Sequence, residues 1–399
     1  MKISQGQAKK NNTEVADVFH FYGEQYRQQY PTTIEQKKVM RHIETCRTAA
    51  LGGHMEVCDN CGVGKNAYNS CRDRHCPKCQ TLAKEKWLMD RRSELLPCGY
   101  FHSVFTLPHD LNPLILVNMK IMLAILFTAV KETLQAFAKD PQWRLQGQLG
   151  FISVLHTWNQ QLFDHFHLHC IIPAGALSVD KSKWISARGG YLFGVKPLAK
   201  EFKKRYLGKL KKAYDKGQLC FRGKNASAYA DKECFLRLTK KLWAKQWITY
   251  SKQPFGGAEQ VLEYLGRYTH RVAISNNRIL SLKNGEVSFT YRDRADDNTI
   301  KEQIVKAEEF IRRFLLHVLP DGFMKIRYYG FLAHTNKKTS IPLLRQLIDP
   351  NAVFADKITE TIDDMMLRLT GTDISTCTHC GKGKMIYAGL LAKPDIDTS

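Results

Sequence analysis

The spacing of apolar residues predicts helices at the start of the chain and then a segment without regular structure. Apolar positions recur at helical spacing through IEQKKVMRHIETC (34–46), and Pro31 separates this segment from an earlier helix. Residues 54–80 are rich in Cys, Gly, Asn and Asp and follow neither the helical nor the strand period. Such a segment cannot build a core from its own side chains, so something else must hold it.

Strand patterns dominate the middle of the chain. The predicted strands are YFHSVFTL (100–107), LGFISVLHTW (149–158) and FHLHCIIPAGAL (166–177), and a long apolar helix is predicted over 112–138. Further helices are predicted over 201–212, 231–251 and 257–272. RILSLKNGEVSFTYRD (278–293) predicts a hairpin that turns at Asn284-Gly285.

These patterns predict an α+β protein of three consecutive domains. Residues 1–97 form a helical, Cys-rich module that binds zinc and DNA, and 98–300 form a central antiparallel sheet flanked by helices. Residues 301–399 alternate helix and strand and include a C-x₂-C element.

The charge indicates a polyanionic partner, for which nucleic acid is the commonest choice. Lys and Arg exceed Asp and Glu by 22, and the pI is near 9.5. The alternative is a solvated, Lys-rich face, with its densest block at EFKKRYLGKLKK (201–212).

The sequence favours a cytoplasmic protein that does not bind a membrane. The N-terminus lacks an apolar signal region, and the apolar segment from Pro113 is interrupted by Asn118 and Lys120. Only ten uncharged residues then precede Lys131, which is too short for a bilayer and predicts a buried helix. The 12 cysteines are expected to bind metal or stay reduced.

Two C-x₂-C pairs predict a zinc site. Cys58 with Cys61 and Cys76 with Cys79 are separated by 14 residues, and together they supply the four thiolates of tetrahedral Zn²⁺.

Further cysteines and histidines lie around these pairs. They predict a second zinc site, with the alternative that Cys71 and His75 support the first one through hydrogen bonds. The residues of this second set are Cys46, His54, Cys71 and His75. Arg72, Arg74 and Lys78 lie beside them and are expected to contact DNA phosphates.

Alternate histidines mark the strand after residue 163. His167 and His169 share one strand face, as does His165, while Phe166 and Leu168 point to the other. Two adjacent imidazoles suit a divalent cation that has a third protein ligand. Taken alone, the pattern is more often a packed core strand.

A tyrosine pair follows on a predicted helix. Tyr264 and Tyr268 are four residues apart and so lie on one helix face. The alternative is an amphipathic helix that buries them beside Val261 and Leu265.

Taken together, the motifs resemble the HUH-type rolling-circle transposases of insertion sequences, in the two-tyrosine, IS91-type branch. The resemblance covers about Thr45 to Ala333. The blocks that carry it are, in order, RTAALGGHMEVCDNCG (47–62), YNSCRDRHCPKCQ (68–80), LHTWNQ (155–160), HFHLHCIIP (165–173) and YLGRYTHRVAIS (264–275).

This resemblance implies the function and its residues. Residues 98–300 become an HUH endonuclease domain in which His167 and His169 hold Mg²⁺ or Mn²⁺, with His165 as a flanking residue. Tyr264 and Tyr268 become nucleophiles that cut single-stranded transposon DNA through a 5′-phosphotyrosine. Imidazole ligands favour Mn²⁺.

Several assignments stay open between alternatives. Gln160 is the predicted third ligand of the catalytic cation, with Gln161, Asp164 and His270 as alternatives. Arg267 and Arg271 are expected to hold the phosphates of the cut strand.

The C-terminal pair and the quaternary structure are also open. Cys377 and Cys380 are either half a zinc site, completed by His379, His334 or a second subunit, or a reduced pair. The oligomeric state is open between a monomer and a homodimer. The competing functions are a zinc-finger DNA-binding regulator without catalysis and a His-x-His metal hydrolase.

Overall fold

The computed structural model describes residues 13–187, 192–255, 260, 264, 266, 272–354 and 360–394. The chain forms two compact units. The first contains residues 1–89, 270–318 and 356–399, and the second contains 90–269 and 319–355. The three consecutive domains of the sequence prediction do not follow these units, because N-terminal and C-terminal segments share the first one.

The helices and strands of the described residues are as follows, in chain order. The helices are α1 (Val15–Gln29), α2 (Ile34–Thr45), α3 (Pro77–Arg92), α4 (Asn112–Val117), α5 (Met119–Lys139), α6 (Val195–Asp215), α7 (Lys232–Ala244), α8 (Ala307–Leu315), α9 (Lys337–Ile348) and α10 (Ile362–Thr370). The strands are β1 (Gly53–Cys58), β2 (Gly64–Tyr68), β3 (Tyr100–Thr106), β4 (Gly147–Gln148), β5 (Phe151–Trp158), β6 (Asp164–Pro173), β7 (Gly175–Ser178), β8 (Trp184–Ser186), β9 (Thr249–Phe255), β10 (Ile279–Lys283), β11 (Glu286–Asp293), β12 (Thr299–Lys306), β13 (Ile326–Tyr329) and β14 (Met385–Leu391). This mixture confirms the predicted α+β class.

The first unit packs the N-terminal helices on a later one. The predicted break near Pro31 is confirmed, because Thr33 caps α2 and its hydroxyl accepts a hydrogen bond from Gln36 N at 3.2 Å. Phe19 of α1 and Phe314 of α8 meet edge to face, with ring centroids 5.3 Å apart.

Two three-stranded antiparallel sheets belong to this unit. One has the order β14-β1-β2, so a C-terminal strand pairs directly with the Cys-rich segment. The other is β10-β11-β12. Its first turn confirms the predicted hairpin, since Asn284 and Gly285 both have positive φ, at 50° and 79°.

The second unit is built on a five-stranded antiparallel sheet of order β13-β5-β6-β3-β9. One face of the sheet packs on α5 and α6, as when Phe105 of β3 meets Phe202 of α6 at 5.2 Å between ring centroids. The central strand β6 is therefore covered on one face by the core.

The predicted helix 112–138 is wrong at one position, since Asn118 divides it into α4 and α5. The Asn118 amide donates to the carbonyls of Leu114 and Cys220 and accepts from Cys220 N at 2.7 Å, so it connects to a distant loop. By length and composition, α5 is one described helix that would suffice to cross a membrane. Its residues Leu126 and Phe127 are fully buried in the protein core.

Candidate active site and cysteine clusters

The histidines of β6 alternate with core residues, as predicted. His167 and His169 are 8% and 7% exposed, while Phe166, Leu168 and Cys170 on the opposite face are fully buried in the core. The polar side chains are therefore held on the face that does not carry α5 and α6.

A third histidine joins the pair from the neighbouring strand. His156 of β5 lies opposite His167 in the strand register, and its ring centroid is 4.5 Å from that of His169. One nitrogen from each of the three rings lies within 4.8 Å of the others, a spacing suited to one metal ion. His156 was missed in the sequence, although the block LHTWNQ contains it.

The predicted third ligand lies close to His156 in sequence. Gln160 is in the turn between β5 and β6, four residues beyond His156, and its assignment stays a prediction. Gln161 is in the same turn, Asp164 is the first residue of β6, and His270 lies outside the described residues.

A chain of short contacts connects a predicted nucleophile to this cluster. Tyr264 Oη lies 2.6 Å from His102 Nδ1, and His102 Nε2 lies 2.8 Å from His169 Nδ1. His169 Nε2 lies 3.1 Å from His167 Nε2, and His167 Nδ1 lies 2.8 Å from the carbonyl oxygen of His165.

With neutral rings, these contacts allow one placement of the hydrogens. The His165 carbonyl only accepts, so His167 Nδ1 carries a hydrogen and its Nε2 accepts from His169 Nε2. His169 Nδ1 then accepts from His102 Nε2, and His102 Nδ1 accepts from the Tyr264 hydroxyl.

His102 itself is 3% exposed on β3. Burial, reinforced by the positive charge of Lys252 on β9, lowers the pKa of His102 to about 4. The ring is therefore neutral at pH 7, as an acceptor for the phenol requires. No feature of its neighbours in sequence marked His102, because only strand pairing brings it to His169.

The remaining predicted residues of this site are only partly described. Tyr264 is helical and half-buried. Tyr268, Arg267 and Arg271 lie outside the described residues.

The four cysteines of the predicted zinc site do not lie together, and that prediction is wrong. Cys76 and Cys79 lie with Cys46 and Cys71, and the Cys46–Cys79 and Cys71–Cys79 sulfur distances are both 3.6 Å. We call this group the first cluster.

Cys58 and Cys61 lie with the C-terminal pair in what we call the second cluster. The Cys58–Cys380 and Cys61–Cys377 sulfur distances are both 3.7 Å. The sequence could not identify the partners of each pair, because every C-x₂-C pair has the same local spacing. Strand pairing in the folded protein decides which pairs meet.

The structure places only two residues of the predicted second zinc set in one cluster. Cys46 and Cys71 join one cluster, whereas His75 Nδ1 lies 3.0 Å from Asp73 Oδ1 and His54 Nε2 lies 3.1 Å from Glu56 Oε1. Although burial raises the pKa of Asp73, hydrogen bonds with His75 and then His42 hold it well below its ordinary value.

The basic residues predicted to contact DNA flank the first cluster. Arg72 follows Cys71 with a positive φ of 55°, and Lys78 lies in the first turn of α3. The Lys78 ammonium forms an ion pair with Glu14 at 2.5 Å. Arg74 lies between them in sequence.

Comparisons with known proteins agree on one family. A family model described as "Transposase zinc-binding domain" matches residues 18–107, and one described as "Putative transposase" matches residues 150–339. No solved structure matches the chain.

Two curated proteins are similar to nearly the whole chain. "Putative transposase y4qJ" of Sinorhizobium fredii is 44% identical over 94% of this chain and 95% of its own length. The transposase for insertion sequence element IS801 of Pseudomonas savastanoi pv. phaseolicola is 27% identical over 90% of this chain and 84% of its own. The chain therefore belongs to the IS91-type family of rolling-circle transposases, enzymes that act on DNA and carry a zinc-binding domain.

Proposed function

We propose that this transposase nicks and rejoins single-stranded DNA at transposon ends through a 5′-phosphotyrosine on Tyr264. The supporting observation is the 2.6 Å contact between Tyr264 Oη and His102 Nδ1, at the end of the chain that leads to the histidine cluster. The reaction takes place in the bacterial cytoplasm, where thiols stay reduced.

The chemistry exchanges one phosphoester for another. Tyr264 Oη attacks the phosphorus in line and forms a new P–O bond as the bond to the 3′ oxygen breaks. The 3′ oxygen takes a proton from solvent and leaves as a hydroxyl. The same hydroxyl reverses the step and rejoins strands without ATP, in keeping with a sequence that has no Walker A phosphate loop.

Three imidazoles form the cation site of this proposal. The residues present fit a divalent cation, because nitrogens of His156, His167 and His169 converge on one point. A divalent cation held by these residues would polarise a non-bridging phosphate oxygen; Mg²⁺ or Mn²⁺ would serve, and the nitrogen ligands favour Mn²⁺. His156 takes the role of third ligand, and Gln160 is the alternative.

His102 moves the proton of the nucleophile. If the Nε2 atoms of His167 and His169 held a cation, His169 would carry its hydrogen on Nδ1. His102 would then pass its Nε2 hydrogen to His169 and take the phenolic proton of Tyr264 on Nδ1. The proton displaced from His169 Nε2 would go to solvent once, when the site is loaded, and Tyr264 would be left as the phenolate.

The second nucleophile is Tyr268. With two tyrosines, one active site holds a covalent strand while it cuts another, which transfer of a single strand requires. Arg267 and Arg271 hold the phosphates of the cut strand through charge-assisted hydrogen bonds.

The first cluster binds Zn²⁺ and supports DNA contacts. A tetrahedral zinc with Zn–S bonds of about 2.3 Å places its sulfurs about 3.8 Å apart. The 3.6 Å distances from Cys79 to Cys46 and Cys71 fit this geometry. Arg72, Arg74 and Lys78 then present positive charge to the DNA backbone.

The test is covalent capture of labelled single-stranded transposon-end DNA in the presence of Mn²⁺. Tyr264→Phe is expected to lose the adduct and the nick while it still binds DNA, because only the attacking oxygen is removed. Denaturing gels measure the adduct, and peptide mapping identifies the modified tyrosine.

Tyr250→Phe is the matched control. Tyr250 is 51% exposed on β9, and its ring centroid lies 6.4 Å from that of His102, so it shares the surroundings without the hydrogen bond. This variant is expected to form the adduct at the wild-type rate. Normal cleavage by a protein that carries both Tyr264→Phe and Tyr268→Phe would refute the tyrosine mechanism.

A further inference from the structure

The second cluster joins residues that are far apart in the chain. Cys61 and Cys377 are 316 residues apart, yet their sulfurs are 3.7 Å apart, and the Cys58–Cys380 distance is also 3.7 Å. All four sulfurs lie within 4.8 Å of one another. The distances match those of a tetrahedral Cys₄ site, where sulfurs are about 3.8 Å apart.

The two halves of the cluster have the same local structure. Each is a C-x₂-C-G turn, CDNCG (58–62) and CTHCG (377–381), in which the glycine has a positive φ of 72° or 67°. The glycine N–H donates to the carbonyl of the first cysteine, at 3.0 Å in one turn and 2.9 Å in the other. Each turn therefore aims two sulfurs at the same point.

Backbone and side-chain donors point at these sulfurs. Cys61 N lies 3.5 Å from Cys58 Sγ, Gly383 N lies 3.4 Å from Cys380 Sγ, and Asn60 Nδ2 lies 3.7 Å from Cys380 Sγ. A Cβ added at Gly383 would collide with Cys58 Sγ. N–H donors stabilise thiolates, which are the form that binds metal.

The strands beside the cluster bury little apolar surface. In β14, Ile386, Tyr387 and Leu390 are 52%, 63% and 83% exposed. The sheet is joined to the cluster by two hydrogen bonds. Asp59 N donates to the backbone carbonyl of Lys384, and Lys384 N donates to the side-chain Oδ1 of Asp59 at 2.8 Å. A small sheet with so little core needs another source of stability, and a structural metal provides one.

We propose that Cys58, Cys61, Cys377 and Cys380 bind a second Zn²⁺, which fastens the C-terminal strand β14 to the N-terminal hairpin β1–β2. Four thiolates in a tetrahedron favour zinc over Mg²⁺ or Mn²⁺. The zinc-binding family model ends at residue 107, so the C-terminal half of this site lies outside it. The two zinc sites then have different roles. The first cluster stabilises a segment within residues 46–79, whereas the second cluster links the N-terminal and C-terminal parts of the chain.

Metal analysis of the full-length protein tests the proposal. The wild-type chain is expected to hold about two Zn²⁺, one in each Cys₄ cluster. Cys377→Ser with Cys380→Ser is expected to hold about one, because it removes half of the second cluster only. Cys46→Ser with Cys71→Ser is the matched variant for the first cluster and is also expected to hold about one.

Cys220→Ser with Cys234→Ser is the control, because both cysteines lie outside the two clusters, and it is expected to keep both ions. Hydrogen exchange gives a second measurement that does not depend on recovery of a variant. When zinc is removed from the wild-type protein, the β1 and β14 amides are expected to lose protection together.

Three results would overturn the proposal. These are a full zinc content in the Cys377/Cys380 variant, iron in place of zinc, and unchanged β14 protection after zinc removal. A full zinc content would support the grouping of Cys58, Cys61, Cys76 and Cys79 instead. None of these results bears on the tyrosine adduct, so the two proposals are tested separately.

Discussion

At the scale of single residues, His102 links two functions that the sequence presents separately. Its Nδ1 contacts Tyr264 Oη and its Nε2 contacts His169 Nδ1, so one buried ring touches both the proposed nucleophile and a proposed metal ligand. Whether His102 carries its hydrogen on Nδ1 or on Nε2 therefore affects both its contact with Tyr264 and its contact with His169. In the proposed mechanism, this arrangement lets the phenol lose its proton near neutral pH although its ordinary pKa is about 10.

A comparison of two alanine variants identifies the third ligand of the proposed cation. His156→Ala is expected to weaken Mn²⁺ binding by about tenfold or more, because it removes one of three converging nitrogens. Gln160→Ala is expected to stay within about twofold, since the three imidazoles are the proposed ligands. Adduct formation measured against Mn²⁺ concentration gives both affinities, and the reverse order would restore Gln160 as the ligand.

At the scale of elements, turn and helix glycines have opposite requirements. Gly285 closes the β10–β11 hairpin with a φ of 79°, which an L side chain adopts at a cost. Gly208 lies inside α6, and a Cβ there would meet none of the described atoms within 4 Å. Replacement by alanine is therefore predicted to lower stability at Gly285 and to raise it at Gly208.

Gly285→Ala is expected to destabilise the hairpin by about 1–2 kcal/mol. Gly208→Ala is expected to stabilise α6 by about 0.4–1 kcal/mol, because alanine restricts the unfolded chain and suits a helix. Hydrogen exchange of β10, β11 and α6 in low urea measures each element by itself. A loss of protection in α6 on Gly208→Ala would contradict the packing around this helix.

At the scale of the whole molecule, the net charge of +22 is expected to make DNA affinity depend on salt. Lys and Arg that neutralise phosphates release counterions, so affinity falls as salt rises. Some of the basic residues are already paired within the protein, as Lys78 is with Glu14 at 2.5 Å. Net charge alone therefore overstates the number of phosphate contacts.

Arg72→Ala is expected to lower the slope of log affinity against log salt by about one, the effect of one lost phosphate contact. Lys78→Ala is expected to lower it by less, because the Glu14 carboxylate already neutralises that ammonium. Fluorescence anisotropy with single-stranded DNA at several salt concentrations measures both slopes. An unchanged slope for Arg72→Ala would remove Arg72 from the DNA-contacting residues.

Local patterns predicted many elements and their faces, but not all of them. The strands β1 and β2 fall in the segment 54–80, for which no regular structure was predicted, and the helix predicted over 231–251 ends at Ala244 before β9 begins at Thr249. The period of two placed His167 and His169 together and Phe166 in the core, and Asn284-Gly285 marked a hairpin, because both signals depend only on neighbours along the chain. Such signals are local and are read directly from spacing. The break at Asn118 escaped them, because its side chain bonds to Cys220, 102 residues away.

The pairing of distant residues was decided only by the tertiary structure. Strand register brought His156 and His102 to His169, and the pairing of β1 with β14 joined Cys61 to Cys377 across 316 residues. The sequence by itself determined the family, the strand that carries the histidines and the presence of thiol metal sites. It could not assign partners, because a C-x₂-C pair or a lone histidine has the same local spacing whichever distant residue completes its site.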